Sequence, residues 1–421
     1  MTLSCFELGQ RMLGVDETLD ALAAMTPPPV AARRVPLAEA VDGVLATDVI
    51  SPVDVPQNTN AAMDGIALAW DEHSPATEVA IVGEVLAGSR PAMTLSPGQA
   101  VRITTGAPLP PGADTVIMSE QLAAAASAER VGIERPERVR HGQNVRQAGE
   151  DLARGATALA AGTRLRPQHL GLLASLGLAE VELFRPLRVA VFSTGDEVTA
   201  QGEPLPAAGI YDTNRFSLRG LLTRLGCEVV DLGILRDELD GMREALAAAA
   251  READMVLTSG GVSVGQADWV KPALEAIGEL GLWRIAMRPG RPMAFGRIRR
   301  EGAREVPFFG LPGNPVAVMV TFLQFVQPML RRMQGERDWQ PLRLTALAAE
   351  PLKSRDGRVD FHRGVYSGDE TGRLWVRTTG RQGSGILSSM VAANCLIEIG
   401  DDRATVEAGE PVTIQPFGDL T

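Results

Sequence analysis

The spacing of apolar positions divides the chain into stretches of different texture. Glu17 to Met25 carries Leu19, Leu22, Ala23 and Met25 at helical spacing and is ended by Pro27-Pro28-Pro29, because consecutive prolines lack the amide donors a helix needs. From about Ser51 the pattern shortens to strands and turns. Val79 to Leu86 and Gln99 to Thr104 read as strands on either side of a Ser96-Pro97-Gly98 turn, and Thr115 to Met118 follows the breakers Pro108, Pro110, Pro111 and Gly112. This β-rich texture lasts to about Gly142. Within it, the Ala-rich stretch Glu120 to Arg130 reads as a helix or a loop. Gln168 to Leu176 is again helical and is closed by Gly177.

Pro186 opens the most regular region. Leu187 to Phe192 is a near-continuous apolar run, as expected of a strand covered on both faces. Further strands are predicted at Glu228 to Leu232, Met255 to Thr258, Leu282 to Met287 and Pro307 to Gly310. Helices are predicted at Asn214 to Leu225, Glu238 to Ala253, Trp269 to Ile277 and Asn314 to Met333. Alternating strands and helices imply βαβ units and a largely parallel sheet, whose ligands sit at the carboxyl ends of its strands. After about Gly335 the chain is all-β: Leu342 to Ala348, Asp360 to Val365, Leu374 to Thr378, Cys395 to Ile399 and Pro411 to Gln415 suggest a small barrel or sandwich.

Composition narrows the classes. A chain of 421 residues with 45% hydrophobic and 22% charged positions is globular and divides into several domains. The net charge of −11 argues against a nucleic-acid-binding body, since a phosphate backbone attracts a basic face. Cys5, Cys227 and Cys395 are too scattered for a disulfide framework or a zinc site and read as free thiols. Behind Cys5 and Phe6, Glu7 and Gln10 interrupt any apolar leader, so no signal peptide is expected. The longest apolar stretch, Val316 to Leu330, holds Thr321, Gln324, Gln327 and Pro328 and is too short to span a bilayer. A cytoplasmic protein without membrane contact is expected.

Polar residues gather where strands end. Ser193-Thr194-Gly195-Asp196-Glu197 follows the first strand of the α/β region; Thr258-Ser259-Gly260-Gly261-Val262-Ser263-Val264-Gly265, with Asp268 beyond, follows the third. Glycines there let backbone amides encircle a phosphate, and a following helix adds its positive end. Asp64, Glu197, Asp237 and Asp268 lie in short loops where carboxylates can hold hydrated Mg²⁺. In Arg288-Pro289-Gly290-Arg291-Pro292 two guanidinium groups flank a rigid turn, which suits a tetrahedral oxyanion. No Gly-Lys pair exists for a Walker A loop, and the glycines at 260–265 are misspaced for a dinucleotide fingerprint. His73, His141, His169 and His362 are dispersed and read as ordinary polar residues.

Asn60 to Gly65, Ser193 to Glu197, Ile210-Tyr211-Asp212-Thr213-Asn214, Ser259 to Gly265 with Asp268, Met287 to Pro292, and Leu311-Pro312-Gly313-Asn314-Pro315-Val316 occur in that order. Together they resemble the molybdopterin molybdenumtransferases, bacterial relatives of the gephyrin E domain. The likeness continues through Arg358, Phe361, Arg363 and Gly383-Ser384-Gly385.

The resemblance implies an elongated, discontinuous domain I at 1–50 and 143–185, with a β-rich domain II inserted at 51–142. An α/β domain III at 186–335, like the molybdopterin adenylyltransferases, and a C-terminal β-barrel at 336–421 complete it. It also implies a homodimer with each active site shared between subunits, and contacts with a molybdopterin adenylyltransferase and with recipient molybdoenzymes.

The implied reaction takes adenylylated molybdopterin and molybdate, uses Mg²⁺, and releases AMP and molybdenum cofactor. In that scheme Asp64, Glu197, Asp237 and Asp268 are catalytic, the last three as metal ligands. Thr105, Ser193, Thr194, Gly195, Ser259, Gly260, Gly261, Ser263, Gly265, Pro312 and Asn314 contact the pterin substrate. Arg288, Arg291, Pro292, Arg363 and Ser384 surround molybdate.

The chain departs from the usual family pattern, which has Lys at 288 and 291, Tyr at 66, and Ser at 61 and 317; here these are Arg288, Arg291, Ile66, Ala61 and Ala317. Arginine keeps the charge but cannot exchange a proton at neutral pH. Two rival readings are an adenylyltransferase, which the α/β region alone would fit, and a non-catalytic scaffold of the gephyrin type. The extra β-rich segments and the Asp64 loop favour molybdenum insertion over the first, and the retained loop acids over the second.

Overall fold

The computed structural model describes residues 5–127, 129–236, 238–260, 269–300 and 305–418. Its centre is a seven-stranded sheet in the order Met12–Leu13, Gly278–Ile285, Pro292–Ile298, Val306–Leu311, Met255–Ser259, Arg188–Thr194, Glu228–Leu235. Successive residues of one strand serve opposite cores. Val189 and Val191 pack with Leu218 and Leu222 of helix Asn214–Arg224 and with helix Pro315–Thr321. Ala190 and Phe192 pack with Met242 and Leu246 of helix Leu239–Glu252 and with Leu274 of Val270–Ile277. The result is a three-layer α/β unit, and burial on both faces explains the unbroken apolar run.

The sheet is less parallel than the pattern suggested. Strand Pro292–Ile298, absent from the sequence reading, runs antiparallel to both of its neighbours. The connection from Ile285 to Pro292 is too short for a crossover helix, so the chain can only turn back. The stretch expected as one strand to Met287 divides: Gly278–Ile285 stays in this sheet, while Met287–Arg288 pairs in parallel with Val359–Asp360 of the C-terminal unit.

Two passages of chain are zipped together outside this unit. Ala32–Pro36 pairs with Glu180–Phe184, Val49–Ile50 with Thr157–Leu159, and Asn60–Ala61 with Val145–Arg146, all antiparallel. Between them lies a six-stranded sheet with its own cores, centred on Ile66, Val79 and Ile117 on one face and Ala67, Val101 and Val116 on the other. The Ala-rich stretch is neither helix nor loop: Leu122–Ser127 forms an edge strand against Arg130–Ile133. Pairing with a neighbouring strand overrides the weak local preference of alanine.

At the C-terminus, Val359–Gly368, Leu374–Thr378, Leu344–Ala348, Pro411–Pro416 and Cys395–Ile399 pair in succession, and the last pairs back to the first. That closes a barrel, deciding between the two expected β architectures. The long helix from Pro315 to Met333 passes through a π turn at Phe322–Val326. Pro328 cannot donate to a carbonyl one turn back, and the wider turn precedes it. Buried Gln324 of this turn and Gln415 of the barrel exchange hydrogen bonds of 2.7 and 3.3 Å, joining helix to barrel.

Candidate active site

Parallel pairing puts Ser193 opposite Ser259, so the two glycine loops leave the sheet side by side. Gly260 has φ +85°, and a Cβ there would come within 3.0 Å of the Thr194 carbonyl oxygen. Gly195 has φ +130°, and the exposed Glu197 carboxylate folds back over it; a Cβ would lie 2.7 Å from Glu197 Oε2. Only glycine accepts both the backbone and the close approach. A third strand end joins these two, since the Gly260 amide donates to the Leu311 carbonyl at 3.2 Å. Gly261, Ser263, Gly265, Asp237 and Asp268 lie outside the described residues.

The Ser193 hydroxyl points inward, donating to buried Asp212 at 2.9 Å. Asp212 also accepts from Arg215 Nε at 2.7 Å, and Arg215 reaches Asp231 at 2.7 Å. Asn214 donates to the Gly313 carbonyl at 2.8 Å, holding the Pro312–Asn314 loop. Sequence reasoning gave Asp212 and Asn214 no role. The available signal was an acid three residues before an arginine at a helix start.

A second cluster forms where the barrel meets the α/β unit. Pairing of Met287–Arg288 with Val359–Asp360 draws Arg288 toward the strand that carries Arg363. Arg363 is 1% exposed; its Nε donates to Ser389 Oγ at 3.0 Å and Nη2 to the Gly383 carbonyl at 3.1 Å. It makes no ion pair with any described carboxylate. Burial first, then the charge of Arg288, pulls its guanidinium down to about 10, still charged at neutral pH.

The neighbouring loop bonds to the helix start, the Ser384 carbonyl accepting from the Val316 amide at 3.0 Å. Gly290, at φ +103°, packs so closely on the same helix that a Cβ would collide with Thr321 Oγ1. Asn314 and Ser384 therefore lie at one helix N-terminus, and Arg363 is bonded to Gly383 next to Ser384; the turn from Arg288 through exposed Arg291 and Pro292 packs on the same helix near Thr321. Cations without a carboxylate partner among the described residues form a setting for an anion.

Asp64 stands elsewhere. In the six-stranded unit its Oδ1 accepts from the Thr105 amide at 2.6 Å and the Thr105 hydroxyl at 2.8 Å. These bonds hold its carboxyl below the usual range. No hydrogen bond or ion pair links it to the loops of the central sheet among the described residues.

Three family models match in chain order: the MoeA N-terminal region (domain I and II) at 13–177, the probable molybdopterin binding domain at 190–332, and the MoeA C-terminal region (domain IV) at 345–417. The molybdopterin molybdenumtransferase of Haemophilus influenzae is 42% identical over 410 residues, 97% of this chain and 100% of that protein. The chain belongs to the molybdopterin molybdenumtransferase family. The Nostoc sp. protein of the same name is 34% identical, covering 88% of this chain and 85% of its own. Among solved structures, the molybdopterin biosynthesis moeA protein of Pyrococcus horikoshii superimposes with a TM-score of 0.81 at 30% identity, over 96% of this chain and 100% of that one.

Against the usual family pattern, Ile66 and Ala61 are fully buried and Ala317 is 3% exposed, so three apolar side chains are packed where hydroxyls are expected. Of the three carboxylates expected to hold Mg²⁺, Glu197 is the one described, and it offers the hard oxygen ligand this ion prefers. No group of three His, Cys, Asp or Glu able to hold a metal occurs among the described residues. The three cysteines are buried free thiols; burial pushes Cys227 and Cys395 up to about 12 and Cys5 up to about 11, leaving them protonated and unreactive. No described helix is long and apolar enough to cross a membrane.

Proposed function

We propose that this enzyme inserts molybdenum into adenylylated molybdopterin, taking molybdate as the metal source and releasing AMP and molybdenum cofactor. The observation that carries the reading is the buried Arg363 guanidinium, which has no carboxylate partner among the described residues and feels the charge of Arg288. A buried cation left unpaired is costly, and a divalent oxyanion would relieve it. The names of the relatives agree with the same transferase class.

In this reading the two glycine loops that follow Thr194 and Ser259 receive the phosphate-bearing end of the substrate. Arg288, Arg291 and Arg363, with Ser384, hold molybdate. Glu197, with Asp237 and Asp268, would hold Mg²⁺, which supplies charge neutralisation at the pyrophosphate link when bound. Asp64, kept ionised by Thr105, acts from the second subunit of a cytoplasmic homodimer. The four-part division at 50, 142, 185 and 335 belongs to the same reading and is supported by the strand pairings that close the two passages of domain I.

The test is turnover. Purified protein given adenylylated molybdopterin, molybdate and MgCl₂ should release AMP, faster with molybdate and not at all with excess chelator. Absence of AMP would overturn the transferase reading, and release insensitive to chelator would remove the metal from it.

A further inference from the structure

We propose that Ser389 is a positioning residue that aims Arg363 at the oxyanion subsite, with Gln382 clamping the same arginine from behind; this rests on the oxyanion reading above. Ser389 Oγ lies 2.6 Å from the Ile386 carbonyl and 3.0 Å from Arg363 Nε. A hydroxyl has one proton. Because the carbonyl can only accept, that proton goes to Ile386, and the hydroxyl can meet Arg363 only as an acceptor. The serine is thus locked in the one orientation that fixes the guanidinium.

The Gly383 carbonyl takes Nη2 at 3.1 Å, so one edge of the guanidinium is committed to the loop that also carries Ser384. A guanidinium has five donors, and the other N–H groups of Arg363 meet no protein acceptor among the described residues. The Ser389 hydroxyl is already committed to the Ile386 carbonyl and to Arg363 Nε, so the serine acts through the arginine rather than by meeting ligand. Gln382 fixes the main chain: Oε1 accepts from the Arg363 amide at 2.8 Å, and Nε2 donates to the Arg363 carbonyl at 3.2 Å and to that of Gly380 at 3.1 Å. Every bond in this set holds the arginine in place and none neutralises it. A purely structural arginine would gain most from a carboxylate, and here it has a hydroxyl and a carbonyl instead.

Molybdate itself is the probe, in full-length protein, by calorimetric titration without pterin and by AMP release with it. Ser389→Ala should weaken molybdate binding about tenfold, the scale of a hydrogen bond to a charged group. The change should fall on molybdate half-saturation far more than on kcat or the KM of the pterin substrate. Ser389→Thr, which keeps the hydroxyl, should recover most of the loss, and Gln382→Leu should weaken molybdate in the same direction. In an Arg363→Ala background, Ser389→Ala should add nothing.

Parent molybdate affinity in a folded Ser389→Ala protein, or an equal loss with and without Arg363, would overturn the positioning role. If Ser389→Ala lowers the melting temperature, the Ser389→Thr and Gln382→Leu titrations decide in its place. Arg363→Ala with parent affinity would instead overturn the oxyanion reading, so the two failures are distinct.

Discussion

Arg288 and Arg363 are held near one another by a strand pair that spans two units of the fold, and neither makes an ion pair with a described carboxylate. The charge of Arg288 adds to burial in disfavouring the charged form of Arg363. An anion bound between them stabilises the folded chain by mass action, about 2.7 kcal/mol at a hundredfold excess over Kd. Molybdate should therefore raise the melting temperature of the parent, and Arg363→Met should abolish the increase. Thermal scans with and without molybdate check this; an unchanged increase in the variant counts against the site.

The exposed pair Arg288 and Arg291 tests charge against geometry. Ala at either position should raise the molybdate requirement roughly 10–100-fold, the equivalent of about 1.5–3 kcal/mol for a lost charged hydrogen bond. Replacing both with Lys keeps the charge and should change it little. A molybdate titration of AMP release checks both variants, and parent half-saturation in the Ala proteins would show that the turn does not meet the anion.

Asp64 is held ionised first by the Thr105 amide and then by its hydroxyl. A carboxylate with a lowered pKa stays charged as the pH falls, so activity that needs it persists into more acidic solution. Thr105→Val removes the hydroxyl but keeps the amide. The acid limb of the pH–rate profile should then move to higher pH, measured between about pH 4 and 8; an unmoved limb would show that Asp64 does not set it.

The separation of Asp64 from the central loops predicts sharing between subunits. Inactive Asp64→Ala and inactive Asp268→Ala proteins, mixed under conditions of subunit exchange, should regain part of the parent activity. Each mixed dimer would contain one intact composite site. Exchange demonstrated by differential labelling, with no recovery, would place Asp64 and Asp268 in the same subunit's site.

The reciprocal amide pair Gln324–Gln415 predicts a stability effect away from the site. Either Gln→Leu change removes both exchanged bonds from the partner's buried amide and should cost about 1–3 kcal/mol. The double variant should cost less than the sum, because neither amide is then stranded. Denaturant unfolding of the set is the measurement, and strict additivity would show that the two amides are not coupled.

Much of the architecture was legible in local pattern. Helix Leu239–Glu252 and strand Met255–Ser259 sit within one or two residues of their predicted bounds because periodicity and cap residues are local properties. Strand Pro292–Ile298 and the edge strand Leu122–Ser127 were not legible, since each is held by its ladder with the adjoining strand, Val306–Leu311 or Arg130–Ile133, rather than by its own local preference.

The site divides in the same way. Loop chemistry, the glycines at 195 and 260 and the Arg288–Arg291 turn are written in residue type and spacing. The commitment of Ser193 to Asp212 and the seating of Arg363 on Ser389 came only from tertiary packing. Sequence determines which groups the chain can offer. Burial and hydrogen-bond partners, set by residues far apart along the chain, decide which of those groups is already satisfied and which cation is left for a ligand.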